Sequence, residues 1–272
     1  MSQILKRLVP PAVADCLRAL LGRSIRFSGP YASWQEASRK SGGYHSSEIL
    51  RKVAEATHKV VAGEAPYERD GVLFDRIRYS FPVLAVLLKA ALQNQGRLTV
   101  TDFGGALGSS YREFRQFFAD AILSCTWMVV EQARVADYGR DHFQTEDLKF
   151  CSSLSEAAQV GSPDVLLLSS VLQYLSQPSA VLEHLLELEA AYVVVDRTVV
   201  NQQKSNTLYV QHVPPSIYSA DYPCWSLSEE KLMEKFERRY ELQCDFTSLP
   251  FPALRRIDSE FKGYVFKKRR AA

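Results

Sequence analysis

Residues 99–108 read T-V-T-D-F-G-G-A-L-G: a short β-rich run, an acid, a Gly-rich turn and then a helical segment. Such a strand–turn–helix places backbone N–H groups and a helix N-terminus at the carboxyl edge of a sheet, where ligands of open α/β sheets bind. Gly104, Gly105 and Gly108 let the main chain approach a ligand where a Cβ would block it. Glu131 follows Gly108 by 23 residues, at the predicted end of the next strand. An acid there can accept hydrogen bonds from both ribose hydroxyls of a nucleoside cofactor. A dinucleotide turn would read G-x-G-x-x-G around a pyrophosphate, but Phe103 stands where its first Gly belongs and Asp102 closes the strand. A carboxylate at that point repels a pyrophosphate and attracts a cation.

The elements that must position these residues alternate. Strands are predicted at 98–103, 125–131, 148–151, 164–169 and 192–196. Helices at 109–119, 154–158 and 179–189, with a short helical stretch ending near 138, fall between them. Alternation of this kind implies a parallel sheet with helices on both faces. Residues 197–227 read as a long irregular connection, followed by a helix at 228–238 and strands at 240–247 and 261–267. The link between those last strands carries Pro250 and Pro252 and no helical pattern, so the pair is expected to be antiparallel. Upstream, helices are expected at 11–21, 47–61 and 81–95, with a Gly-, Ser- and aromatic-rich loop at 28–45. Residues 1–96 thus read as a helical N-terminal extension that caps the site, 97–267 as the α/β domain, and 268–272 as a basic tail.

Asp102-x-Gly104, with Gly108 four residues on, resembles the D-x-G-x-G-x-G motif of class I S-adenosylmethionine-dependent methyltransferases, with Ala106 in place of the middle Gly. The segment 162–178 resembles the fourth strand and following loop of those enzymes. Further stretches, F-S-G-P-Y-A-S-W (27–34), F-G-G-A-L-G-S-S-Y (103–111), V-D-R-T (195–198) and V-P-P-S-I-Y-S-A-D-Y-P-C-W (213–225), resemble one bacterial family of methyltransferases often associated with surface-polysaccharide biosynthesis. The resemblance implies a doubly wound, seven-stranded, mostly parallel sheet with an antiparallel last strand, and S-adenosylmethionine as cofactor. It also implies that Asp102, Gly104, Gly105 and Gly108 form the methionine-side loop and that Glu131 holds the ribose. Ser152 stands where relatives place an adenine contact, and Ser169, Ser170 and Gln173 at the mouth where donor and acceptor meet. The implied activity is methyl transfer to an oxygen of a saccharide or related cell-envelope precursor.

A hydroxyl acceptor can use a general base, whereas a carboxylate acceptor needs none. Asp196, at the end of the fifth predicted strand, and His212 are the candidates. Arg197 could pair with Asp196 or bind an anionic acceptor, and Tyr44, Tyr218, Tyr222 and Trp225 could stack against a sugar. Two rival functions stand beside this one: a non-catalytic scaffold with the same fold, and a nicotinamide-dependent oxidoreductase.

Composition narrows the partners. Thirty-three Lys and Arg balance 31 Asp and Glu, for a net charge of +2, and no aromatic–basic interleaving suggests nucleic acid. The first 60 residues carry ten Lys and Arg against four acids, so a basic helix at 11–21 could touch an anionic membrane. Five scattered cysteines without C-x-x-C spacing argue against a disulfide framework, and no histidine spacing asks for a metal. No apolar run of membrane-spanning length is present, which makes a cytoplasmic protein the expectation.

Overall fold

The computed structural model describes residues 25–42, 47–118, 120–214, 220–248 and 257–270. In chain order the elements are β1 (Arg26–Tyr31), α1 (Trp34–Arg39), α2 (Ser47–Val61), β2 (Tyr67–Arg69), β3 (Val72–Phe74), α3 (Phe81–Gln93) and β4 (Arg97–Phe103). There follow α4 (Ser109–Phe118), β5 (Ser124–Val130), α5 (Ala133–Phe143), β6 (Leu148–Cys151), α6 (Leu154–Ala158) and β7 (Val165–Ser169). After a short 3₁₀ turn at Leu172–Tyr174 come α7 (Pro178–Leu186), β8 (Tyr192–Asn201), β9 (Thr207–Val213), β10 (Ala220–Ser228), α8 (Glu229–Glu237), β11 (Tyr240–Thr247) and β12 (Glu260–Lys268). The expected N-terminal helix at 11–21, Tyr44 and Tyr218 lie outside the described residues.

Seven strands lie in the order β6-β5-β4-β7-β8-β12-β11. The first five are parallel, and β12 runs antiparallel to both β8 and β11. This is the doubly wound sheet with an antiparallel last strand expected from the sequence. Its central strands are near-continuous apolar runs because both faces are covered. Along β7, Val165 and Leu167 pack with α2, α3, α4 and α5, while Leu166 and Leu168 pack with Leu182 and Leu185 of α7 and Leu232 and Phe236 of α8. Local signals fix the helix starts. Pro sits in the first turn of α3 and α7, and the Ser33, Ser153 and Ser228 hydroxyls accept backbone N–H bonds at the N-termini of α1, α6 and α8.

Two expectations are corrected. Residues 28–45 do not form a plain loop: β1 and α1 occupy 26–31 and 34–39. Nor is 197–227 an irregular connection. β8 runs on to Asn201, fully buried throughout its ten residues, and β9 and β10 form an antiparallel pair to which β1 adds a third strand. The overrun of β8 past β7 matters for the site. β12 takes one edge of β8 as far as Val200, so β10 pairs with Val200 and Asn201 on the edge that β7 leaves free. The three-stranded β1-β9-β10 unit therefore grows out beyond the carboxyl end of β7, over the sheet edge where a ligand would bind.

Candidate active site

A cavity of about 580 Å³ opens at the carboxyl ends of the parallel strands, a volume within the ordinary range for small-molecule sites. Its floor is Phe103 and Gly104 after β4, Val130, Glu131 and Gln132 after β5, Ser152 and Ser153 after β6, and Ser170 and Val171 after β7. Trp34, Ser38 and Ser41 on and just after α1, together with Tyr174, Leu175, Tyr222 and Pro223, form the remaining wall. The β1-β9-β10 unit carries this second half: Ala37 of α1 is buried against Leu208 and Val210, and Trp34 stacks on Trp225 at a centroid distance of 6.1 Å.

The Gly-rich turn keeps a shape in which alternate residues are left-handed. Gly104 has φ +75°, Ala106 φ 51° and Gly108 φ +85°. Ala106 thus adopts a conformation that favours glycine, and the sequence departure at this position leaves the turn intact. Gly104 and Gly105 are required by packing. A Cβ on Gly104 would fall 2.4 Å from Val171 Cγ2, and one on Gly105 2.5 Å from Asp102 Oδ2.

Asp102 is 1% exposed and accepts a 3.1 Å bond from Trp127 Nε1. Burial pushes its carboxyl up to about 7, against the opposing pull of the Trp127 bond and of Arg197, with Glu131 adding a further push. A buried carboxyl so poised gains from a cation placed nearby. Glu131 bridges the turn and its own strand end. Oε1 accepts from Ala106 N–H at 3.2 Å and Oε2 from Gln132 N–H at 2.9 Å. Burial raises its pKa, and the two backbone donors hold it back. Apart from tyrosines, Glu131 is the one ionisable side chain among the described residues that line the cavity.

The other sequence candidates divide. Gly104, Glu131, Ser152, Ser170 and Tyr222 line the cavity. Asp102, Gly105 and Gly108 support the turn from beneath or beside it. Trp225 stands behind Trp34 and donates its Nε1 hydrogen to Leu175 O. Ser169, Gln173, Asp196 and Arg197 belong to a buried network outside the cavity lining. Asp196 Oδ1 accepts from the Ser248 hydroxyl at 2.8 Å and Oδ2 from the Ser169 hydroxyl at 3.2 Å, and Arg197 Nε lies 3.6 Å from Oδ2. The expectation that Asp196 ends its strand is corrected. The strand continues through a bulge in which Arg197 takes φ 51°, and the Arg197 carbonyl accepts from Gln173 Nε2. Burial opposes the Arg197 charge, but Tyr67, Asp196, Glu113 and Asp70 around it raise its pKa. Its cation is already compensated by the protein. His212 lies on β9, bonded to Ser28 and Asp221, outside the cavity lining. Trp34, Ser38 and Ser41 were not singled out as site residues by the sequence, and Tyr174 read equally as core or site. Only the aromatic and hydroxyl content of 28–45 hinted at the first three.

No protein-family model and no curated protein matches the sequence, and the likeness to a surface-polysaccharide family has no counterpart among these comparisons. Solved structures are similar at low identity. The N-terminal domain of EvdMO1, solved in the presence of SAH and D-fucose, is 14% identical with a TM-score of 0.46, over 82% of this chain and 96% of that one. The 1,6-didemethyltoxoflavin-N1-methyltransferase of Burkholderia thailandensis is 12% identical with a TM-score of 0.44, over 89% and 92%. The [4+2]-cyclase SpnF is 12% identical with a TM-score of 0.48, over 89% and 98%. The fold is the class I methyltransferase-type, Rossmann-like α/β sheet. Among the described residues no helix is long and apolar enough to cross a membrane, and no group of His, Cys, Asp and Glu could hold a metal ion.

Proposed function

We propose that the chain is an S-adenosylmethionine-dependent methyltransferase acting on an oxygen of an uncharged small molecule, a saccharide or related cell-envelope precursor. One observation carries the cofactor reading. The left-handed turn at 104–108 is clamped between a buried acid below, Asp102, and an acid on the cavity floor, Glu131, which accepts the Ala106 N–H. That pair of acceptors suits an adenosyl ligand with ribose hydroxyls and a cationic methionyl end. Glu131 would take the ribose hydroxyls, Gly104 to Gly108 the methionyl group, Asp102 would balance its positive charge through the turn, and Ser152 and Ser170 would contact the two ends. A pyrophosphate would find no cation on the described lining and one carboxylate too many.

The acceptor reading rests on the far wall. Trp34, Tyr174 and Tyr222 present aromatic surface and Ser38 and Ser41 present hydroxyls, the mixture that suits a sugar ring or similar polyol. The lack of a lysine, arginine or histidine among the described lining residues favours an acceptor without a carboxylate or phosphate at its reacting end. When bound, the cofactor supplies an already activated methyl group. The chain's own task is then alignment and exclusion of water, which Trp34, Leu175 and Tyr222 perform as the wall opposite Gly104 and Ser170. In this reading Asp196 and Arg197 position the 169–173 segment and do not touch the reacting atoms.

Thermal unfolding with S-adenosylmethionine, S-adenosylhomocysteine or NAD tests the proposal. At about 100 times its dissociation constant a ligand that binds only the native state adds about 2.7 kcal/mol, a shift of roughly 5–10 °C. A shift with the two adenosyl ligands that disappears in Glu131→Ala supports the reading. A shift with NAD alone, or with none of the three, overturns it.

A further inference from the structure

Three side chains on the α1-facing side of the β1-β9-β10 unit stand in the relation of nucleophile, base and orienting acid. Ser28 Oγ lies 2.8 Å from His212 Nε2, and His212 Nδ1 lies 2.8 Å from Asp221 Oδ1. They come from three strands. His212 is directly opposite Asp221 across the β9–β10 ladder, and Ser28, opposite Val210, reaches His212 diagonally. Alternation sends Leu208, Val210 and His212 to the same side, which is the side α1 covers, so the register itself builds the constellation.

The proton positions follow from what each group can do. An ionised Asp221 can only accept, so Nδ1 carries the hydrogen and Nε2 is left as an acceptor. The only hydrogen that fits between Nε2 and Oγ is then the serine's own. Ser28 Oγ is in turn 3.1 Å from the Tyr31 hydroxyl, which is left to donate to it. The chain Tyr31→Ser28→His212→Asp221 thus polarises in one direction and loosens the Ser28 O–H toward Nε2. A nucleophile paired with a base that a third group orients is the general arrangement for covalent acyl transfer. All three side chains are half-buried, open enough for a small reagent to reach. Past Ser28 the β1–β9 register slips, and pairing resumes at Tyr31 opposite Leu208, so the serine stands at the edge of an irregularity in the ladder.

We propose that Ser28, His212 and Asp221 form a second reactive centre, separate from the cavity at the strand ends, which cleaves small carboxylic esters through an acyl-serine. Oγ forms a bond to the carbonyl carbon as its proton passes to His212 Nε2. The carbon–oxygen bond to the leaving alcohol then breaks, and that alcohol takes the proton from Nε2. Water repeats the sequence on the acyl-serine, giving the carboxylic acid and restoring Ser28. The Tyr31 hydroxyl, 3.1 Å from Oγ, is a donor close to the tetrahedral centre this step forms.

The test treats the full-length protein with a fluorophosphonate, which exchanges its fluoride for a serine oxygen only at an activated serine, and maps the adduct by peptide mass spectrometry. Hydrolysis of p-nitrophenyl acetate is followed in parallel. The expected result is one adduct, on Ser28, absent in Ser28→Ala and formed at least about 100-fold more slowly in His212→Asn, with ester hydrolysis lost in step. Urea unfolding of both variants with the wild-type midpoint separates lost chemistry from lost fold. An unlabelled wild-type protein overturns the proposal without recourse to any variant. So does an adduct that persists in Ser28→Ala.

Discussion

The Asp102 carboxylate lies directly beneath Gly105, so close that a Cβ on that glycine would come within 2.5 Å of Oδ2. Asp102 is walled in, and the contact can be relieved only by moving the turn. Gly105→Ala is expected to lower stability by about 1–3 kcal/mol, the usual cost of forcing a methyl into a packed site. It should also weaken S-adenosylhomocysteine binding at least tenfold, because the turn must shift away from Asp102 to admit the methyl. Urea unfolding and isothermal titration measure the two effects. Wild-type affinity in the variant would mean that the turn does not form the binding surface.

Ala106 makes the opposite case. With φ at 51°, it pays about 1–2 kcal/mol for a left-handed backbone that glycine adopts freely. Ala106→Gly removes that cost but gives back about 0.4–1 kcal/mol through the freer unfolded chain. The net expectation is a gain of about 0.5–1 kcal/mol, with the N–H bond to Glu131 retained. A loss of stability in urea would contradict the strained assignment.

The parallel part of the fold was legible because its signals are local. Val-rich runs such as Tyr192–Asp196, and helices opened by Pro82 or Ser228, carry their periods and caps within a few residues. The antiparallel unit was not, because β1 pairs with a strand about 180 residues away and nothing near Phe27 announces Gln211. Arg197 hid the continuation of β8: a charged residue looks like a strand end, and only a left-handed bulge lets the backbone carry it inside. Pro223, a residue seldom found inside a strand, lies in register with Val210 within β10. Of the cavity lining, Gly104 and Glu131 could be read from the strand–turn–helix–strand pattern, and Ser152 and Ser170 from the family resemblance. Trp34 and Ser38 could not, because their place in the cavity depends on that long-range pairing.

The raised pKa of Asp102 has a sign that can be checked. Its folded value of about 7 lies above the usual 3.8, so between these limits the native state binds the proton that the unfolded chain releases. Stability conferred by this group is therefore greatest at low pH and falls as pH rises from about 4 to 7, by an amount on the order of a few kcal/mol. In the ligand-free protein, Asp102→Asn should abolish that part of the decline between pH 5 and pH 8 in urea titrations. With S-adenosylmethionine, whose sulfonium is a cation, the effect reverses in kind. A cationic ligand favours the ionised carboxyl, so wild-type affinity should rise across the same interval and the variant's should not.

Gln211 joins the two tyrosines of the cavity wall. Its Oε1 accepts from the Tyr174 hydroxyl at 3.2 Å and its Nε2 donates to the Tyr222 hydroxyl at 3.0 Å, while the two rings meet edge to face at 5.1 Å. The amide is 4% exposed and sits on β9, so it ties the overhanging unit to the 3₁₀ turn after β7. Leucine has nearly the same volume and neither bond. Gln211→Leu is expected to cost about 1–3 kcal/mol, the net worth of the two hydrogen bonds it removes. Because Glu131 and the Gly-rich turn lie on the far side of the cavity, the S-adenosylhomocysteine affinity should stay within about threefold of wild type. A variant that unfolds normally but loses that affinity would show that the tyrosine wall belongs to the cofactor's half of the cavity and not to the acceptor's.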